Sequence, residues 1–117
     1  MRDVKEIFAD IDSMNPDRFV ANLTEDVVFR FGNSDPVAGR PAVRDAVAGF
    51  YTTIAGMTHH LLKTYDMDDT TITQVDVEYE RLDGKSVVTP NVDVLVFAGD
   101  QVKNWQIYID LAPVFAP

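Results

Sequence analysis

Acidic and aromatic side chains recur near the end of the chain in a pattern that could support acid–base chemistry. Asp93 lies in the segment TPNVDVLVF, and Tyr108 and Asp110 lie in WQIYID. Apolar surroundings raise the pKa of a carboxyl group, and a second carboxylate nearby raises it further. Such a pair could abstract a proton next to a carbonyl group, close a ring by an aldol-type step or activate water. Tyr108 could donate a hydrogen bond to the developing oxyanion.

The histidines His59 and His60 are the other candidate acid–base groups. Neighbouring residues of a strand point to opposite faces, so only one of the two can enter a pocket. The start of a strand leaves open which one it is. The inward histidine would be a base or a hydrogen-bond partner. Their opposite directions disfavour chelation of one metal ion, so we expect no metal. The chain has no glycine-rich phosphate loop, and we expect no cofactor.

Composition limits the classes of function. The 117 residues suit a single domain over 1–117, and 46% of them are hydrophobic. A net charge of −9 argues against nucleic acid and anionic membrane surfaces as partners. The absence of cysteine excludes disulfides and thiolate catalysis. The acidic N-terminal segment is unlike a signal peptide, and no apolar run could span a bilayer, so we expect a cytoplasmic protein.

Three helices are predicted in the first half of the chain. Apolar residues at helical spacing indicate a first helix over about residues 2–13. Asn15 can cap a second, short helix that Pro16 opens. The segment RPAVRDAVAGFYTTIAG, residues 40–56, indicates a third helix that Gly56 could end.

Strands are predicted between and after these helices because the apolar spacing changes to two. DGK at 83–85 is a hairpin signal. The order α-α-β-α-β-β-β-β predicts an α+β domain in which a curved antiparallel sheet wraps around a helix and encloses a pocket, giving a cone. The strands expected are 26–31, 58–67, 71–82, 86–97 and 102–111.

The faces of the last two strands decide which residues would line that pocket. We expect the mixed polar faces to point inward, namely Thr89, Asn91, Asp93, Leu95 and Phe97 on one strand and Gln106, Tyr108 and Asp110 on the other. The opposite faces are apolar, and their exposure predicts a homodimer through the sheet. The reverse arrangement also fits the pattern. Asp93 would then pair with Arg44 or Lys103, and Asp110 would end its strand in solvent.

Four segments, taken in order, resemble a known superfamily. LTEDVVF, GRPAVRDAVAGFY, YERLDGKSVVTPNVDVLVF and WQIYID are similar to elements of the cone-shaped fold of nuclear transport factor 2 (NTF2), ketosteroid isomerase, limonene-1,2-epoxide hydrolase and the SnoaL-like polyketide cyclases. The resemblance implies that Asp110 is the acid–base residue. It also implies that Asp93 lies where the isomerase keeps a protonated aspartic acid. Arg30 and Ile7 stand where the isomerase has its base and its tyrosine, so steroid isomerisation is not expected.

The resemblance also implies that the third helix and the C-terminal tail help to line the pocket. Candidate substrate contacts are then Phe50, Tyr51, Met57, Asn91, Phe97 and Trp105. We therefore expect a cofactor-independent isomerase, cyclase or lyase acting on a small, largely apolar carbonyl, polyketide-like or terpenoid-like compound. One alternative is a binding or scaffold domain without chemistry. Another is an epoxide hydrolase, which would need Arg81 and two carboxylates around a water.

Overall fold

The computed structural model describes residues 1–117 as four helices and one six-stranded sheet. The helices are α1 (Val4–Asp12), α2 (Pro16–Val20), α3 (Arg40–Tyr51) and α4 (Ala112–Phe115). The strands are β1 (Leu23–Phe31), β2 (Val37–Ala38), β3 (Gly56–Met67), β4 (Thr70–Glu80), β5 (Ser86–Ala98) and β6 (Gln101–Ile109). The predicted order is therefore present, with a short strand and a short C-terminal helix in addition. None of the helices is long and apolar enough to cross a membrane.

Local sequence explains where the first two helices begin. Asp3 accepts a hydrogen bond from the backbone N–H of Lys5 and caps α1. Asn15 caps α2 in the same way, and Pro16 takes the first helical position, as predicted. These caps satisfy N–H groups that have no partner within the helix. They fix where the chain enters each helix.

The third helix ends earlier than the sequence predicts. The helix stops at Tyr51, and Gly56 is the first residue of β3. The hydroxyl groups of Thr52 and Thr53 donate to the carbonyl oxygens of Gly49 and Phe50, each at 2.6 Å. These bonds satisfy carbonyl groups of the last turn. The chain can therefore leave the helix without a glycine cap.

The sheet has the order β2-β1-β6-β5-β4-β3. Strands β3 to β6 form the predicted antiparallel meander, with Gly84 at φ +87° in the turn between β4 and β5. Strand β1 pairs in parallel with β6 at one edge of the meander. From β2, beside β1, the chain crosses through α3 to β3 at the opposite edge. Helices α1, α2 and α3 pack on one face of this sheet. The α+β architecture predicted from the sequence is confirmed.

An aromatic cluster closes the core where β1 and β6 meet α2. The rings of Phe19 and Trp105 stack at 5.3 Å between centroids, and Phe29 meets Trp105 edge-on at 5.8 Å. Trp105 is 1% exposed. Ile107 follows it on the same inner face of β6, opposite Asp93 of β5. The apolar face of β6 is therefore the buried one.

Candidate active site

The cone holds a cavity of about 240 Å³ between α3, the end of α1 and the inner face of the sheet. Of the 17 residues that line it, 13 are hydrophobic. Sites for drug-sized ligands measure about 300–1,000 Å³, so this one suits a smaller, largely apolar molecule. The aromatic part of the wall consists of Phe19, Phe29, Phe31, Phe50, Tyr51 and Tyr79.

A histidine–carboxylate pair opens onto this cavity. The Nδ1 atom of His59 lies 2.6 Å from Oδ1 of Asp12, the last residue of α1. The backbone N–H of His59 donates to the other carboxylate oxygen at 2.9 Å, and Phe8 stacks on the ring at 4.5 Å. Because an ionised carboxylate only accepts, Nδ1 carries the proton and Nε2 keeps its lone pair. Nε2 makes no hydrogen bond within the protein and is open to the cavity.

Two tyrosines also line the cavity. Tyr79 of β4 is 1% exposed, lines the cavity and makes no hydrogen bond through its hydroxyl group. Burial, followed by the charges of Asp93 and Asp12, raises the pKa of Tyr79, so its hydroxyl stays protonated and can donate. Tyr51 of α3 instead donates to the carbonyl oxygen of Ile11 at 2.7 Å. Tyr51 therefore holds α3 against α1, whereas Tyr79 offers a donor to a ligand.

Asn91 of β5 is a further polar group in the wall, which also includes Ser34 and Asp35. Its side-chain nitrogen donates at 2.7 Å to Asp93, which lies deeper in the core and is 1% exposed. The carboxyl group of Asp93 also accepts from the indole N–H of Trp105 and the hydroxyl of Thr73, each at 3.0 Å. Asp93 faces inward, as predicted, but it does not line the cavity. Its predicted ion pair with Arg44 or Lys103 does not form, since these residues pair with Asp17 and Asp69.

The predicted inward orientation of Asp110 and Tyr108 is wrong. Tyr108 is 60% exposed on the outer face of the sheet, and Asp110 is exposed just beyond the end of β6. Oδ1 of Asp110 accepts from the backbone N–H of Ala112 at 2.9 Å and so helps to begin α4. Because Trp105 and Ile107 fill the inner face, the polar face of β6 must point outward. The expected convergence of Asp110 on Asp93 does not occur.

The remaining predicted residues divide between cavity, core and surface. His60 lies on the outer face and contacts Glu78 at 3.0 Å, so His59 is the inward histidine. The predicted substrate contacts Phe50, Tyr51, Met57 and Asn91 line the cavity. Phe97 and Trp105 are buried in the core without lining it, which corrects their predicted placement.

Sequence reasoning missed Asp12 and did not name Tyr79 as a site residue. Tyr79 could have been found, because it continues the inward face of Thr71, Thr73, Val75 and Val77 along β4. Asp12 gave no such signal. It ends an amphipathic helix, and its contact with His59 joins residues 47 apart in the chain. No group of three or more histidine or acidic side chains is placed to hold a metal ion.

Residues 4–105 match the SnoaL-like domain family. The chain therefore belongs to this family, whose fold its helices and curved sheet display. No match was found among curated proteins.

Solved structures with the same fold cover nearly the whole chain. A hypothetical protein with a ketosteroid isomerase-like fold from Catenulispora acidiphila, in complex with trimethylamine, is 17% identical, with 97% of this chain and 88% of that one covered and a TM-score of 0.87. A putative SnoaL-like polyketide cyclase from Jannaschia is 17% identical, and the match covers 97% of this chain and 90% of the cyclase, with a TM-score of 0.82. An epoxide hydrolase from M. tuberculosis, similar to limonene-1,2-epoxide hydrolase, is 13% identical. The match covers 96% of this chain and 83% of the hydrolase, with a TM-score of 0.79. Identities this low show a shared fold only.

Proposed function

We propose that this protein is a cofactor-independent enzyme that transfers a proton at the carbon next to a carbonyl group of a small, largely apolar compound. The observation that carries the proposal is the hydrogen-bonded Asp12–His59 pair, whose free Nε2 opens onto an apolar cavity that Tyr79 also lines. A base held in this way contributes about 10²–10⁴-fold to a rate.

The proposed step uses His59, Asp12 and Tyr79. Nε2 of His59 takes a proton from the carbon next to the carbonyl group, and the C–H electron pair moves to the carbonyl oxygen to form an enolate. Tyr79 donates a hydrogen bond to this oxygen, where negative charge develops. Asp12 accepts from Nδ1 and stabilises the imidazolium that forms. The imidazolium then returns the proton, to the same carbon or to another one.

This chemistry fits isomerases, cyclases and lyases that act through an enolate. Membership of the SnoaL-like family and the polyketide cyclase among the similar structures support this class. The cavity supports a carbonyl, polyketide-like or terpenoid-like substrate, because its wall is mostly apolar and includes no lysine or arginine. Proton transfer at carbon requires no metal or organic cofactor when base and oxyanion donor are both in place.

Epoxide hydrolysis receives less support from the geometry. Arg81 lies outside the cavity, where its guanidinium donates to the carbonyl oxygens of Pro113 and Ala116. Asp83 lies in the turn that follows β4 and accepts a hydrogen bond from Nε of Arg81. Asp35, at the loop before β2, is the only carboxylate that lines the cavity. A water held between two carboxylates and an arginine has no counterpart there.

Deuterium exchange tests the proposal without knowledge of the natural substrate. Indanone, a small bicyclic ketone, is incubated in D₂O with the protein, and NMR follows the loss of the proton next to its carbonyl group. We expect His59→Gln to lower the protein-catalysed rate by about 100-fold or more. His60→Gln is the matched control, because the neighbouring histidine lies on the outer face of the sheet. It should leave the rate unchanged.

The Asp12→Asn variant separates chemistry from binding. An amide at this position can donate to Nδ1 and so favour the tautomer whose Nε2 carries the proton. We expect slower exchange with little change in the affinity for indanone. If wild type binds indanone in the cavity but exchanges its proton no faster than the His59→Gln variant, the proposal fails and the protein is a binding domain.

A further inference from the structure

The carboxyl group of Asp93 is a buried polar group that the proposed step does not use. It is 1% exposed and forms no ion pair, yet three donors converge on it. Buried carboxylates are costly, and each one in a core calls for a physical reason. The reason offered by the geometry is the next polar residue, Asn91, which stands between Asp93 and the cavity.

Asp93 determines which end of the Asn91 amide faces the cavity. An ionised carboxylate has no proton to donate, so it can pair only with the NH₂ end of an amide. Asn91 Nδ2 lies 2.7 Å from Oδ2 of Asp93, which directs Oδ1 away from it. No protein group donates to that oxygen, and it is not sealed in the core. The cavity wall therefore presents an acceptor at Asn91.

Besides Ser34 and Asp35 in the loop after β1, the wall has three polar groups on adjacent strands that each have an atom without a protein partner. His59 on β3 presents an acceptor nitrogen, Tyr79 on β4 a donor, and Asn91 on β5 an acceptor. A simple ketone would satisfy Tyr79 but leave Asn91 without a partner, at the cost of an unpaired buried polar group. An anionic ligand would place negative charge near the Asn91 oxygen and Asp93. The group that suits Asn91 is a neutral hydroxyl.

We propose that Asp93 is a positioning residue that holds the Asn91 amide with its oxygen toward the cavity, and that the site therefore selects hydroxycarbonyl compounds over plain ketones. The carbonyl group would accept from Tyr79 and the hydroxyl group would donate to Asn91. This inference rests on the proposed function for the role of the carbonyl group. The preference for a hydroxyl can be measured by binding alone.

Substitution of Asp93 by asparagine provides a test with a specific signature. The indole N–H of Trp105 is only a donor, so the oxygen of the new amide must occupy the Oδ1 position. The new NH₂ group then occupies the Oδ2 position and faces Asn91. Asn91 must rotate its amide to accept from it, which turns its own NH₂ group toward the cavity. The wall would then present a donor where wild type presents an acceptor.

The experiment compares ring-hydroxylated indanones with their methoxy counterparts by calorimetry at a series of pH values, because burial raises the pKa of Asp93 and the expected signature belongs to its ionised form. A methoxy group accepts but cannot donate. We expect wild type to bind the best-placed hydroxyl compound about 10-fold more tightly than its methoxy counterpart, the value of one hydrogen bond. In Asp93→Asn this preference should disappear or reverse. Asp76→Asn, the same change on the outer face of β4, should retain it.

Equal affinities in wild type, no binding of any hydroxylated probe, or an unchanged preference in Asp93→Asn would each overturn the inference. Thermal unfolding verifies that every variant is folded. His59→Gln should keep the hydroxyl preference while losing deuterium exchange, because binding does not require the base. Loss of exchange activity and loss of the preference are thus separate results, and failure of one proposal can be distinguished from failure of the other.

Discussion

Asp93 carries an electrostatic cost that should appear in the stability of the protein. Burial raises its pKa, and the hydrogen bonds from Trp105, Thr73 and Asn91 offset only part of the rise. A carboxyl group whose pKa is higher in the folded than in the unfolded state favours folding while it is protonated. That contribution is complete below the unfolded value, about 3.9, and is lost as the pH rises through the folded value.

We therefore expect Asp93→Asn to gain stability relative to wild type as the pH rises from about 4 to about 8. The new amide keeps the shape of the side chain and the hydrogen bond from Trp105 but carries no charge. Urea unfolding at a series of pH values measures the difference in unfolding free energy between the two proteins. Asp76→Asn, the same change on the outer face of β4, is the matched control. A stability difference for Asp93→Asn that does not change with pH would mean that Asp93 titrates alike in both states.

At the residue scale, the sequence predicts the inward face of β5 correctly and that of β6 incorrectly. Both faces of β6 fit an alternating strand, and the resemblance of WQIYID to the superfamily favoured an inward Asp110. Packing determines which face of β6 points inward, because burial of a tryptophan ring contributes about 4 kcal/mol or more to stability. Asp110 has no comparable gain from an inward position. The Asp12–His59 contact was beyond prediction, since no periodic pattern connects α1 with β3.

At the scale of elements, the sequence predicts whether a segment is a helix or a strand better than it predicts the residue at which the element ends. Ile54 continues the apolar spacing of α3 and is buried, so a helical pattern runs on beyond Tyr51. The real end depends on the hydroxyl groups of Thr52 and Thr53, which satisfy the last carbonyl groups locally. Strand β2 has two residues, which is too short for an alternating pattern of apolar and polar residues to show. Such short elements depend on their neighbours rather than on their own sequence.

The C-terminal tail closes one side of the cavity, and Arg81 holds it there. Leu111 lines the cavity and Val114 is buried, while the Arg81 guanidinium donates to Pro113 at 3.0 Å and to Ala116. We expect Arg81→Gln to speed amide exchange in the tail and ligand release, with little change in global stability, because the lost bonds hold one local segment. Hydrogen exchange detected by mass spectrometry and the dissociation rate of bound indanone measure these effects.

The control for the tail experiment is Arg44→Gln. Arg44 also pairs with a carboxylate at the surface, Asp17 at 2.6 Å, but it lies on α3 and does not touch the tail. Its loss should leave exchange in the tail and ligand release unchanged. Equal exchange of the tail in Arg81→Gln and in wild type would show that the burial of Val114 is sufficient to hold α4 in place.

At the scale of the whole molecule, the helices cover only one face of the sheet. The outer face carries apolar side chains that neighbour one another across the strands, since Ile72 pairs with Val94 and Val92 with Tyr108. Tyr108 is 60% exposed, and Val92 and Val94 are partly exposed. Gln74 and Gln106 lie in the same rows, so this part of the face is partly apolar and carries no charge, a composition that suits an interface. The charge of −9 opposes non-specific association.

We predict that two copies pair through this outer face as a symmetric homodimer. Sedimentation velocity should then give a mass near twice the 13.1 kDa of one chain. Val94→Lys places a charge in the middle of the face and should shift the protein to the monomer, because the ammonium group would be buried without a partner. Ala42→Lys adds the same charge at an exposed position of α3, away from the sheet face, and should remain dimeric. Wild type that sediments as a single chain at every concentration, or a dimer that survives Val94→Lys, would place the contact elsewhere or exclude it.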